Sequence, residues 1–470
     1  MSNPLEMRSC LQFKTLKPGC SGRTDQKKIF MKLAKGLRLL WLPFAVTFFV
    51  FYFDLKFDFV GVLFLFSCLQ SVFFLTLAFS NASTFNLFSV YYTFNLIFFG
   101  FIPWVHYSGA SFIWRSLPVL ESTYLSVNFL IIITNLIFFI AYLYKFSKPI
   151  DEPILSRSLV DSRVLSIRLC ALSFMSFFLL LYLNNFSINE VLFRGVLDEV
   201  RSQVIQTSSL SLLYGTVSRL VPVFCFLYAI SSFKVSFFFK SILFFLMLFA
   251  VFPTGVARYL VAFSYVPVLL ALSSRFRDAS LFSALLIGLI LMLFPFLDQF
   301  RYFSGFENLR FLPERAFFYA AHFDAYENLA SAVESGFISY GGQIVGSLLF
   351  FIPRVFWLDK PVGSGYQMAE QLGYSFKNIS MPFLGEGFIN FGFLGVVVFV
   401  SSLGFLFGVL DRRFSKLIWH RTQIDYSLAI YYYLFGGFFF VLRGDLLSST
   451  AYVVAGLFSA FLVRFLCTQR

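Results

Sequence analysis

Four stretches of this chain, Phe59–Phe79, Phe85–Val105, Leu125–Tyr144 and Phe388–Leu410, run on without one charged side chain. A bilayer's hydrocarbon core is about 30 Å thick, and about 20 residues of helix cross it. Backbone polar groups in lipid are satisfied only within a helix or a closed barrel. These runs are too long and too continuously apolar for barrel strands. The chain is therefore predicted to be all-α and a polytopic integral membrane protein. Composition requires the same exterior: 13% of the 470 residues are charged, 59% are hydrophobic and 72 are Phe. A water-soluble domain carries about 25% charged residues.

Adding the less clean runs predicts twelve spans, near 37–53, 57–79, 85–105, 125–144, 165–183, 209–233, 235–252, 257–272, 280–298, 388–410, 424–441 and 446–466. The chain then divides into a basic segment 1–36, helices one to nine over 37–298, a large loop 299–387, and helices ten to twelve with a short tail over 388–470. Segment 1–36 has no apolar core and does not read as a cleavable signal. It reads as a disordered extension or as the product of an upstream start codon, Met31 opening a second candidate start.

The formal charge of +13 suggests nucleic acid at first sight, but no basic stripe alternates with exposed aromatics. The Lys and Arg gather instead between apolar runs, as membrane topology demands. With the N-terminus cytoplasmic, 23 of the 37 fall on the inner side and 12 outside, six of those in the one long loop. Both termini are predicted cytoplasmic and 299–387 lies outside. Its centre, Gly336–Phe356, is apolar but broken by glycines, Gln343, Pro353 and Arg354, and reads as an interfacial or re-entrant helix. A second outer stretch, 184–203, carries both charge signs and predicts a short amphipathic helix. The six cysteines show no ligand spacing, so neither a structural disulfide nor a metal site is expected.

Charges inside a membrane cost about 2.5–3.5 kcal/mol on insertion scales and mark functional candidates. Arg219 lies deep in its span; it either serves function or bonds carbonyls of neighbouring helices. Arg258, in TGVARYL, stands at the outer mouth of its span, where a helix N-terminus adds positive potential. It is a candidate for a phosphate or pyrophosphate, or an interfacial anchor. In the loop, Arg354, Trp357 and Lys360 combine cations for an anion with an aromatic plate for a sugar ring, or form a solvated basic patch at lipid head groups. His322 and Asp324 form an HFD triplet, about 200° apart on a helix and so not an obvious bonded pair. His322 is a candidate general base or a donor to a leaving phosphate. Glu386, where the chain re-enters the membrane, is a candidate acceptor of a hydroxyl proton. No GxSxG, Walker A, HExxH or DxD pattern is present, which points to a site built from cationic side chains with no cofactor.

The stretches TGVARYL, HFDAYENL, IPRVFWLDKPVGSG and PFLGEGFINFGFLGV, in that order, with about twelve helices and one large outer loop before the last three spans, resemble the O-antigen (oligosaccharide repeat-unit) polymerases of the Wzy type. The likeness covers some 130 positions; TGVARY departs from it in having Val and Ala where a Gly-Ser pair often precedes the Arg. It implies a membrane glycosyltransferase at the outer face of the bacterial inner membrane, using undecaprenyl-pyrophosphate-linked oligosaccharide. By position, Arg258 and Arg354 would neutralise the pyrophosphate, supported by Arg219 and Lys360. Glu386 or Asp324 would be the base, with His322 the rival. It also implies membrane lipids, a chain-length regulator and a flippase of the same pathway as partners. An O-antigen ligase, handing polymer to a lipid A core, shares the architecture, and a lipid-linked oligosaccharide flippase is the non-enzyme alternative. Polar residues gathered at one face favour surface chemistry over transport.

Overall fold

A computed structural model describes residues 53–81, 85–147, 162–193, 209–231, 235–289 with 293, 296 and 299, 315–420 and 426–467. Segment 1–36, nearly all of the expected span 37–53, the end of 280–298, the start of the loop and the second half of 184–203 lie outside the described residues.

Eight helices among these residues are long and apolar enough to cross a membrane, so the chain is built as a multi-pass membrane protein. In chain order the α-helices, short ones included, are α1 (Phe59–Asn81), α2 (Leu87–Phe94) running through a π-helical turn Asn95–Phe101 into α3 (Ile102–Ser108), α4 (Glu121–Phe146) and α5 (Ser162–Leu183). After the short α6 (Ile188–Leu192) come α7 (Ser209–Ser231), α8 (Phe237–Ala250), α9 (Arg258–Leu272) and α10 (Ala279–Gly288). The segment before the last helices carries α11 (Ala325–Ser335), α12 (Gly342–Leu348) and α13 (Ser364–Gln371); α14 (Phe383–His420), α15 (Tyr426–Arg443) and α16 (Leu446–Cys467) complete the chain. The expected runs 235–252 and 257–272 are apolar helices, but only 14 and 15 residues long.

Two sets of helix contacts dominate the packing, joined through α15. In one, α14 lies along α4 and α1 packs on α4 and the α2–α3 unit. In the other, α7 packs against α5, α8 and α16, and α9 against α15. Lipid supplies little hydrophobic drive between helices, so close backbone approach and internal polar contacts must hold them. Gly404 and Gly408 of α14, spaced as GxxxG, supply the first: an added Cβ would stand 2.7 and 2.5 Å from the carbonyl oxygens of Phe138 and Tyr142 on α4. Gly436 of α15 meets Ala262 of α9 in the same way. Asp411 supplies the second. Its buried carboxylate accepts from the Leu87 and Phe88 N–H groups at the start of α2 and from the Tyr142 and Tyr431 hydroxyls, joining four helices.

The run 388–410 is not one straight span. Phe391 leaves the helical region, and Gly392, at φ 63° and ψ −151°, turns the chain where a side chain would be strained. The half-helix before the break ends on Ile389 and Asn390, whose carbonyls accept the Ser339 and Gly341 N–H groups at 2.6 and 3.1 Å. Such a break needs polar partners for the freed carbonyls, and residues 339–341 provide them. The apolar stretch 336–356 forms only the seven-residue α12, which rests against α16 and α14. Of the predicted amphipathic element in 184–203, the five residues of α6 are described as helix.

Candidate functional site

Between α2, α9, α10 and α15 lies a cavity of about 310 Å³, bordered at one end by residues 317–324, 376–380 and Trp114. Arg258 reaches it as the first residue of α9. The turn before it is fixed by contact with α6: Thr254 Oγ1 donates to the Leu192 carbonyl at 2.7 Å, and Gly255 lies so close to the Val191 carbonyl that a Cβ could not fit. No side chain caps α9, and its N-terminus sets the positive end of the helix dipole beside the guanidinium.

Arg443, the last residue of α15, is the second cation. Its Nε donates to the His322 carbonyl at 2.8 Å, and Nη2 to the Ala321 carbonyl at 3.1 Å and Asp324 Oδ1 at 2.9 Å. His322 Nδ1 lies 3.5 Å from Arg258 Nη1. The rim thus carries two guanidinium groups against one carboxylate, a net charge of +1, and Asp324 and Arg443 are committed to each other. Only 1% exposed, Asp324 also accepts from Trp114 Nε1 at 3.0 Å and Ser380 Oγ at 2.6 Å.

Away from the rim the cavity is apolar. Val266 stands eight residues into α9 from Arg258, and Phe435 eight residues before Arg443; both line it, with Val90, Phe282 and Leu286. At 1.5 Å rise per residue the slot runs about 12 Å along the helices. A cationic rim over a greasy slot of that depth suits an amphiphile with an anionic head.

The rim is held from behind. Glu327 on α11 accepts the N–H groups of Ile113, Trp114 and Arg115 at 2.7, 2.8 and 3.1 Å, wrapping the 111–118 loop around one carboxylate. Burial raises the Glu327 carboxyl above its usual range against the pull of those three donors. Arg115 in turn pairs with Glu334 at 2.6 Å.

Of the residues singled out from sequence, Arg258, His322 and Asp324 meet here; five others lie elsewhere. Arg219 Nη1 donates to the carbonyl of Ala250, the last residue of α8, at 2.8 Å. Arg354 donates to the carbonyls of Lys360 and Pro361, and Lys360 Nζ to those of Phe350 and Ile352 at 2.5 and 2.9 Å. These two cations therefore close their own loop, and burial next to Arg354 lowers the Lys360 ammonium below its usual range. Trp357 sits half-buried in that loop, outside the cavity. Glu386, fully buried, accepts the Leu446 N–H at the start of α16 and the Ser364 hydroxyl at the start of α13, both at 2.7 Å.

Sequence reasoning missed Trp114 and Arg443. Arg443 at a span's end reads as a topological flank, and Trp114 in a short loop as an interface aromatic; only the fold brings both to Asp324. Comparison with protein-family models, curated proteins and solved structures finds no match to this chain.

Proposed function

We propose that this chain polymerises lipid-linked oligosaccharide repeat units, as the resemblance of its motifs to the Wzy type implies. In this reading it has twelve spans and both termini in the cytoplasm, sits in a bacterial inner membrane, and carries 299–387 as a large periplasmic loop with α12 at the interface. The observation that carries the reading is the cavity: Arg258 and a helix N-terminus with no side-chain cap stand over an apolar slot, beside the Arg443–Asp324 pair. The head would be the pyrophosphate of an undecaprenyl carrier, and its hydrocarbon would enter the slot.

In the reaction the bond from the donor's anomeric carbon to the pyrophosphate oxygen breaks. A new bond forms to a hydroxyl oxygen of the acceptor repeat unit. The pyrophosphate leaves with the electron pair, and fixed guanidinium groups stabilise the charge as it develops. The hydroxyl proton goes to a base, and His322, beside Arg258 on the rim, has the position for it. Asp324 positions Arg443 and Trp114 rather than accepting that proton, because its oxygens already accept from Trp114 Nε1, Ser380 Oγ and Arg443 Nη2. Glu386, Arg354 and Lys360 hold the surrounding loops, and Arg219 holds α7 to α8.

The test is a gel of surface polysaccharide from a strain lacking this protein, complemented with wild type, Arg258→Ala, His322→Ala and Arg354→Ala. Wild type and Arg354→Ala restore a ladder; Arg258→Ala and His322→Ala leave single repeat units. A full ladder with Arg258→Ala at normal expression refutes the pyrophosphate assignment. Long polymer left on its carrier in the null strain would instead mean ligase, and repeat units trapped on the cytoplasmic leaflet would mean flippase.

A further inference from the structure

Beside the cationic rim stands a pair of stacked rings. Trp114 and Phe376 lie 5.3 Å apart with planes 15° from parallel, and both line the cavity. Each is fixed by its own anchor. Trp114 is held by the Glu327 carboxylate at its N–H and by Asp324 at Nε1. The 376–380 strip is pinned by Ser380, whose Oγ donates to Asp324 and whose carbonyl accepts from Asn328 Nδ2 at 2.7 Å. Gly365 of α13 packs directly on the Ile379 carbonyl, leaving no room for a Cβ. Phe376 is nonetheless 39% exposed, and Asn378 next to it is exposed on the cavity's edge.

This stacked pair, with Phe376 partly exposed, stands at a charged rim. An amphipathic ligand explains it: a pyranose has a flat C–H face that covers an aromatic ring and a hydroxyl rim that bonds an amide. Pockets combine apolar walls with a few placed polar groups in this way. One carboxylate, Asp324, bridges Trp114 Nε1 and Arg443 Nη2, so the stacked pair adjoins the arginines closely enough for one ligand to span both.

We infer that Trp114 and Phe376 form the subsite for the first sugar attached to the lipid's pyrophosphate, with Asn378 bonding its hydroxyl or acetamido group. The inference rests on the proposed reading of the cavity. It makes Phe376 a residue that distinguishes saccharide-bearing lipid from bare lipid, which Arg258 does not.

The experiment measures binding of two probes to the full chain in nanodiscs: undecaprenyl pyrophosphate, and the same lipid bearing one N-acetylglucosamine. Wild type, Phe376→Ala, Phe376→Trp, Asn378→Ala and Arg258→Ala are compared, with thermal unfolding as the check on folding. Phe376→Ala is expected to weaken the sugar-bearing probe about tenfold and leave the bare lipid unchanged, with Phe376→Trp restoring affinity. Asn378→Ala should weaken the sugar-bearing probe alone, and Arg258→Ala should weaken both. If Phe376→Ala folds and binds both probes as wild type does, the sugar subsite is wrong and the lipid reading stands. If bare lipid fails to bind wild type, or Arg258→Ala binds it undiminished, the cavity's anion reading falls and the subsite with it.

Discussion

Asp324→Asn separates a positioning carboxylate from a catalytic base. The substitution keeps the shape and replaces one oxygen by an NH2 group. Asp324 Oδ1 faces Ser380 Oγ and Arg443 Nη2; Oδ2 faces Trp114 Nε1. An amide nitrogen placed toward Arg443 loses a charge-assisted bond, and one placed toward Trp114 sets donor against donor. Either orientation costs about 1.5–3 kcal/mol. Arg443 is about a quarter exposed, so water screens part of its lost partner and about 2 kcal/mol is the working figure. That is a roughly thirtyfold fall in the folded-to-unfolded ratio. Reversible unfolding in mixed micelles measures it. The double variant Asp324→Asn with Arg443→Gln should be less destabilised than the sum of the singles, by about 1–3 kcal/mol. Loss of transfer should follow loss of rim order, tracked by weaker binding of lipid pyrophosphate. Unchanged stability and unchanged lipid binding with transfer abolished would refute the reasoning and return Asp324 to the role of base.

Asp411→Ala strands two backbone N–H groups and two tyrosine hydroxyls inside the bundle; a loss of about 3 kcal/mol is expected, read as early thermal aggregation, with Asp411→Asn intermediate. Gly404→Leu or Gly408→Leu drives a side chain into an α4 carbonyl and should cost about 1–3 kcal/mol by overpacking, measured by the same unfolding assay. Burial alone would raise the Glu334 carboxyl, but the hydrogen bond and charge of Arg115 outweigh it and hold it below the usual value. Its stabilisation is therefore complete above the ordinary Glu pKa of about 4.3 and is lost as pH falls through the lower folded value. Arg115→Gln should flatten that part of the stability-against-pH curve, and an unchanged curve would count against the pairing.

The helical, membrane-crossing character of this chain is local information. Twenty uncharged residues satisfy their backbone within one helix whatever surrounds them, so Phe59–Phe79 and Leu125–Tyr144 were readable as spans from composition alone. The turn before Arg258 was legible too, since Pro253 and Gly255 punctuate the chain there. What escaped was whatever depends on a partner far away in sequence. The break at Phe391–Gly392 lies in an unbroken apolar run, and it forms because Ser339 and Gly341 cover the freed carbonyls. Glu386, Arg354 and Lys360 have the residue types of an anion or proton site, yet their polar atoms are taken up by helix starts and loop carbonyls. Arg443 looks like any flanking arginine until the chain folds and sets it against Asp324, 119 residues earlier. Sequence by itself determined the solvent this protein lives in, because hydropathy is a property of each residue. Tertiary structure alone decided which charges face the cavity, because a side chain's role depends on which groups reach it first.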